Sequence, residues 1–130
     1  MKRVVLLIML TLILTGCGKK GKPADMPQDV YDVGIDALKV VNNYLNDEAD
    51  IEETFDLFDR ITEDFLMDTE NYEKLNTDAK LSSLGVSSTL VKMSLKLQSI
   101  KNSWFVATDI SADKKELKKL RDDLKSKLGE

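Results

Sequence analysis

Few side chains in this sequence are of types that do chemistry, and their spacing excludes more than it offers. There is no histidine, which removes the usual general base, imidazole metal sites and a charge switch near neutral pH. Ser111-Ala112-Asp113-Lys114 matches Ser-x-x-Lys, but only two positions are specified and a helix cap accounts for Ser111 better. No Gly-x-Ser-x-Gly elbow, phosphate-binding loop or dinucleotide fingerprint occurs. Residues 47–68 hold ten acids and one base. They lack the glycine and regular alternation of a calcium loop, so they read as the solvated face of a helix. The expectation is a non-catalytic chain with no cofactor and no metal site.

One reactive residue remains, Cys17, the sole cysteine, and its surroundings give it a role. Met1-Lys2-Arg3 is cationic and residues 4–14 are apolar, the charge and length pattern of a secretory signal. That run is too short to span a bilayer, which takes ~20 apolar residues, and Lys19, Lys20 and Lys22 follow closely. Leu14-Thr15-Gly16-Cys17 resembles the lipobox of bacterial lipoproteins. The resemblance implies cleavage between Gly16 and Cys17, a diacylglycerol on the Cys17 sulfur, and residence in the cell envelope on the extracytoplasmic side of a membrane. Acylation would also withdraw the thiol from catalysis, disulfides and zinc binding. The alternative is an uncleaved N-terminal anchor. Gly18 rather than aspartate follows the cysteine, which in a Gram-negative cell resembles lipoproteins sent to the outer membrane.

Cleavage changes the charge. The full chain has 19 basic and 23 acidic residues; losing Lys2 and Arg3 leaves 17 against 23, a net charge of −6. Such a surface suggests no nucleic-acid partner.

The elements follow from composition and period. Residues 17–27, with two prolines, two glycines and almost nothing apolar after the cysteine, read as a flexible tether that cannot offset its ordering entropy. From Gln28 or Asp29 the chain reads as helix, with Val30, Val33, Ala37, Val40, Val41, Tyr44 and Leu45 on one face. A second helix begins at an Asp50/Glu53 capping box and carries Ile51, Phe55, Phe58, Ile61 and Phe65 on one stripe. Residues 68–76 have no sustained period and read as the longest loop, folded back by Tyr72 and Leu75. A third helix, capped by Thr77 and reaching about residue 106, has two apolar stripes. Leu81, Leu84, Ser88, Val91 and Leu95 form one; Val86, Leu90, Met93, Leu97 and Ile100 form the other, nearly opposite. A helix apolar on two sides is expected to be covered on both, and so to be the most buried. The alternative is that one stripe is a dimer or partner surface. Trp104 continues the second stripe and would plug the core, whereas Phe105 falls off it. The last helix starts at Ser111 or Asp113, with Glu116 completing a capping box, and sets a leucine stripe, Leu117, Leu120, Leu124 and Leu128, among lysines before Gly129. Its basic surface complements the acidic second helix.

The expected fold is therefore all-α: a small up-and-down bundle of about four helices spanning residues 28–130, behind a cleaved signal peptide (1–16) and a lipidated tether (17–27). The expected function is presentation of a helical protein-interaction module at the envelope. Its partners are the membrane, through lipid on Cys17, and a protein, with a homodimer possible; Trp104, Phe105 and Tyr72 are candidate contacts. The alternative is a bundle that binds or senses a small ligand in a cavity near Tyr44, Met93 and Trp104.

Overall fold

The computed structural model describes residues 21–103 and 109–130. The described residues form five helices in the order α1 (Gln28–Leu45), α2 (Ile51–Met67), α3 (Thr69–Glu73), α4 (Thr77–Ser103) and α5 (Ser111–Leu128). The four long ones form the bundle, so the third and last helices of the sequence reading are α4 and α5. Among the described residues none is long and apolar enough to cross a membrane.

Successive long helices run antiparallel. The Tyr31 hydroxyl donates to Glu130 Oε1 at 2.8 Å, tying the start of α1 to the end of α5, and Arg121, near the middle of α5, reaches Asn42 Oδ1 in the last turn of α1 at 3.0 Å. Lys96 Nζ lies 2.9 Å from Asp113 Oδ1, and Lys101 Nζ 3.2 Å from Asp56 Oδ1, pairing the C-terminal half of α4 with the beginnings of α5 and α2. Around the bundle the order is α1, α2, α4, α5, with α1 and α4 meeting across the core. Acidic α2 and basic α5, though complementary in charge, are therefore not neighbours. They flank α4 on either side.

The core is made where each periodic face turns inward. Val41, Phe58, Val86, Leu90, Met93, Leu97, Leu117, Leu124 and Leu128 are fully buried. The α2 stripe is centred differently from its apolar pattern, because Thr54 and Thr62 are buried beside Phe58. Their hydroxyls donate to Asp50 O at 2.6 Å and Phe58 O at 2.9 Å, so each polar atom is satisfied within its own helix. Among the described residues every buried side-chain nitrogen and oxygen has a partner. Gly34, which as a helix-interior residue looks like a cost of ~1 kcal/mol, has a packing reason: a Cβ there would sit 2.7 Å from Leu128 Cδ2.

Several local expectations need correction. Met26, assigned to the tether, is 3% exposed within the core, and its N–H donates to Pro23 O. Residues 68–76 are not all loop: α3 forms because Asp68 Oδ1 accepts from the Asn71 N–H at 3.1 Å. The cap of α4 is Asn76, which accepts from the Ala79 N–H at 2.9 Å, rather than Thr77. At α5, Asp109 takes both the N–H and the hydroxyl of Ser111, at 2.8 and 3.0 Å, while Asp113 and Glu116 reach out to Lys96 instead of forming a capping box. At α2 the expected Asp50 to Glu53 N–H bond is present at 2.8 Å, and Gly129 ends α5 in the left-handed conformation, φ 75°.

Candidate functional site

The two stripes of α4 have opposite fates. Val86, Leu90, Met93, Leu97 and Ile100 are at most 2% exposed, whereas Leu81, Leu84, Val91 and Leu95 are 62, 51, 43 and 61% exposed. Among the described residues the helix meets α1 on its inner face, α2 and α5 on its flanks and the short α3, and no element covers its outer face. The expectation that it is covered on both sides is thus incorrect. From Leu81 to Leu95 the open row runs ~21 Å at 1.5 Å per residue, with exposed Ser88 near its middle.

Each flank of the row has its own charge. On α2, Glu52, Asp56, Asp59 and Glu63 are exposed and recur at offsets of four, seven and eleven, one line along a helix. The Asp56–Lys101 pair places that line beside α4, and Lys101 Nζ also lies 4.7 Å from the Phe55 ring centroid. On the α5 side a shallow groove of about 450 Å³ is lined by Lys92, Leu95, Lys96, Glu116, Lys119 and Leu120. Lys96 is held by Glu116 and Asp113, which raise its pKa above the usual lysine value, the Glu116 hydrogen bond most of all. Among the described residues Lys92 and Lys119 form no ion pair within 4 Å. Further along, Thr89 is buried between α4 and α5: its hydroxyl donates to Asp123 Oδ2 at 2.8 Å and accepts from Lys127 Nζ at 2.7 Å. The Lys127 ammonium, helped by that hydroxyl, lowers the Asp123 pKa against the opposing effect of burial.

At the other end of the row, a groove of about 250 Å³ opens between α3 and the bundle, lined by residues including Val30, Leu66, Tyr72, Leu75, Ser83 and Leu84. Tyr72 is half-buried there, with Lys80 Nζ 5.6 Å from its ring centroid. Of the residues named from sequence, Tyr72 alone can be placed: Gly16, Cys17, Trp104 and Phe105 lie outside the described residues. Tyr44 and Met93, around which a ligand cavity was an alternative, are buried, and neither groove is lined by them. Tyr44 packs under Lys114, whose Nζ lies 5.0 Å from the ring, and burial raises its pKa. Sequence reasoning found the apolar stripe but expected it to be covered, and it missed the charged margins and the Thr89 knot. The acidic line carried a signal in its spacing; Thr89 carried none, because its partners lie on another helix.

Compared with known proteins, the chain matches no family model, no curated protein and no solved structure.

Proposed function

We propose that the chain is a membrane-anchored lipoprotein that presents a non-catalytic, helical protein-interaction module at the cell envelope, with the outer face of α4 as its docking surface. The observation that carries the binding half is the row Leu81, Leu84, Val91 and Leu95, large apolar side chains left open to solvent along one helix. Solvating such a row costs free energy that a partner would recover, at ~1.5–3 kcal/mol for each leucine fully buried. Support for the anchor is the resemblance of Leu14-Thr15-Gly16-Cys17 to a lipobox, placed after a cationic start and an apolar run. A small-ligand role has less support: the groove at Tyr72, about 250 Å³, falls below the ~300–1,000 Å³ of most ligand pockets, and the groove of about 450 Å³ is shallow and edged by Lys92, Lys96, Glu116 and Lys119 rather than closed by apolar side chains.

Two measurements test the two halves. Cys17→Ala should move the protein from membrane to soluble fractions, because the lipid supplies the membrane affinity; a variant that stays with membranes counts against the anchor. A photo-crosslinking residue at position 88 should give a protein adduct in cells. Changing Leu84 and Leu95 together to serine should reduce that adduct at least about ten-fold. Absence of any adduct counts against the module.

A further inference from the structure

The charges beside the open row say which partner fits it. We infer that the outer face of α4 is covered by the same face of a second copy of this chain, the two α4 helices running parallel about a two-fold axis along their length. This rests on the reading of that face as an interaction surface and names its occupant.

A self-complementary interface requires the acidic and basic margins to meet when the molecule is turned onto itself. Two rotations bring one α4 face onto another. An axis perpendicular to α4 lays the two helices antiparallel and sets α2 over α2, so that Glu52, Asp56, Asp59 and Glu63 oppose their own copies. An axis parallel to α4 sets each α2 over the partner's α5, acidic line against Lys92 and Lys119. The heights agree as well. Asp56 meets α4 at Lys101, and α5 meets it with Asp113 at Lys96 and Asp123 at Thr89; following the antiparallel helices from there, Asp59 and Glu63 come nearest the height of Lys92 and Lys119. A rotation parallel to the helix preserves height and thereby brings these margins together.

Size leads to the same arrangement. The outer face of a 27-residue helix is ~40 Å long and ~10 Å wide, ~400 Å², about half of the ~800 Å² that each partner buries in a standard interface. The flanks must therefore take part, and only the parallel arrangement makes them attractive. The chain's entry point agrees too. Tyr31 near the start of α1 bonds Glu130, and Val30 lines a groove with Ser83 and Leu84 of α4, so the tether leaves beside the N-terminal end of α4. Parallel copies put both tethers at one end. Antiparallel copies would set them on the order of 40 Å apart at opposite ends, so with the five steps from Cys17 to Lys22 reaching ~18 Å at full stretch, both would reach one bilayer only with the pair lying flat on it.

The test uses the full chain in cell membranes, where an acylated Cys17 takes no part in disulfides. Thr77 and Asn102 are exposed near the two ends of α4, on the same line as the row. Under mild oxidation, Thr77→Cys and Asn102→Cys should each form a disulfide-linked pair of identical chains, and mixing the two variants should give no preference for the 77–102 product. Asp59→Lys with Glu63→Lys should lower the linked fraction about ten-fold, and adding Lys92→Glu with Lys119→Glu should restore it to within about two-fold, since both margins are then reversed together. A 77–102 product alone would overturn the parallel arrangement. No linked pair, but a photo-adduct from position 88 with a protein of another mass, would overturn the second copy while leaving the interaction face standing. Neither product would overturn both. A disulfide pair in the unsubstituted chain would show a free Cys17 and count against the anchor instead.

Discussion

At the scale of single residues, the bundle depends on a few close fits between helices. Gly34 is the tightest, with Leu128 occupying the place of a side chain. Leu128 is itself fully buried, so it has little room to withdraw. Gly34→Val should therefore destabilise the fold by ~1–3 kcal/mol despite the better helix propensity of valine, read as a lower urea midpoint at unchanged slope. Asp123 offers a test by pH. Its folded pKa is depressed, first by Lys127, so its contribution is fully present above the ordinary aspartate value and is lost as pH falls through the lower folded value. Asp123→Asn should cost stability at pH 7, within the ~0–1 kcal/mol of exposed pairs, and less at pH ~2. Denaturant titrations at the two pH values would show it. Neither fit could be read from the chain. Gly34 reads as a weak helix residue until Leu128, distant in sequence, is placed against it, and Thr89 reads as a small spacer until α5 brings up its charges.

At the scale of elements, α4 separates what periodicity reveals from what it conceals. Both apolar stripes were legible, because each repeats at helical spacing. Which one is covered was not, since two faces with the same period are indistinguishable until neighbouring helices are assigned to one of them. The difference should appear in stability. Leu90→Ala or Leu97→Ala should cost ~2–5 kcal/mol, as buried leucines do, whereas Leu84→Ser or Leu95→Ser in the monomer should change it by no more than ~0.5 kcal/mol. Thermal unfolding of the four variants under dilute conditions would decide the point. Boundaries show a similar division. The start of α2 was plain, because Asp50 caps the helix that directly follows it. At α4 and α5 the residues bonding the helix start were misplaced by one or two positions, because Asn76 beside Thr77, and Asp109 two before Ser111, are able to do the same work. The helix α3 was missed because five residues are too few to display a period.

At the scale of the whole molecule, the all-α bundle was legible because four apolar faces, separated by turns, have few other ways to be buried together. Its charge layout was not. Acidic and basic helices invite pairing on paper, yet α2 and α5 lie on opposite flanks of α4, and this separation gives the open face its two unlike margins. Exposed pairs contribute too little to dictate helix order against burial of the core.

The contact between Tyr31 and Glu130 also makes the bundle a candidate for circular permutation. Joining residue 130 to Lys22 through a short glycine linker and opening the chain in the turn at Asp47 and Glu48 would preserve the long helices. Circular dichroism and unfolding should then match the natural chain to within ~1 kcal/mol. With the proposed lipid anchor moved to the new start, the permuted protein would stand upside down on a membrane, carrying the same face at the opposite height. Comparing the two orientations would show whether that face meets a neighbour rooted in the same bilayer or something approaching from beyond it.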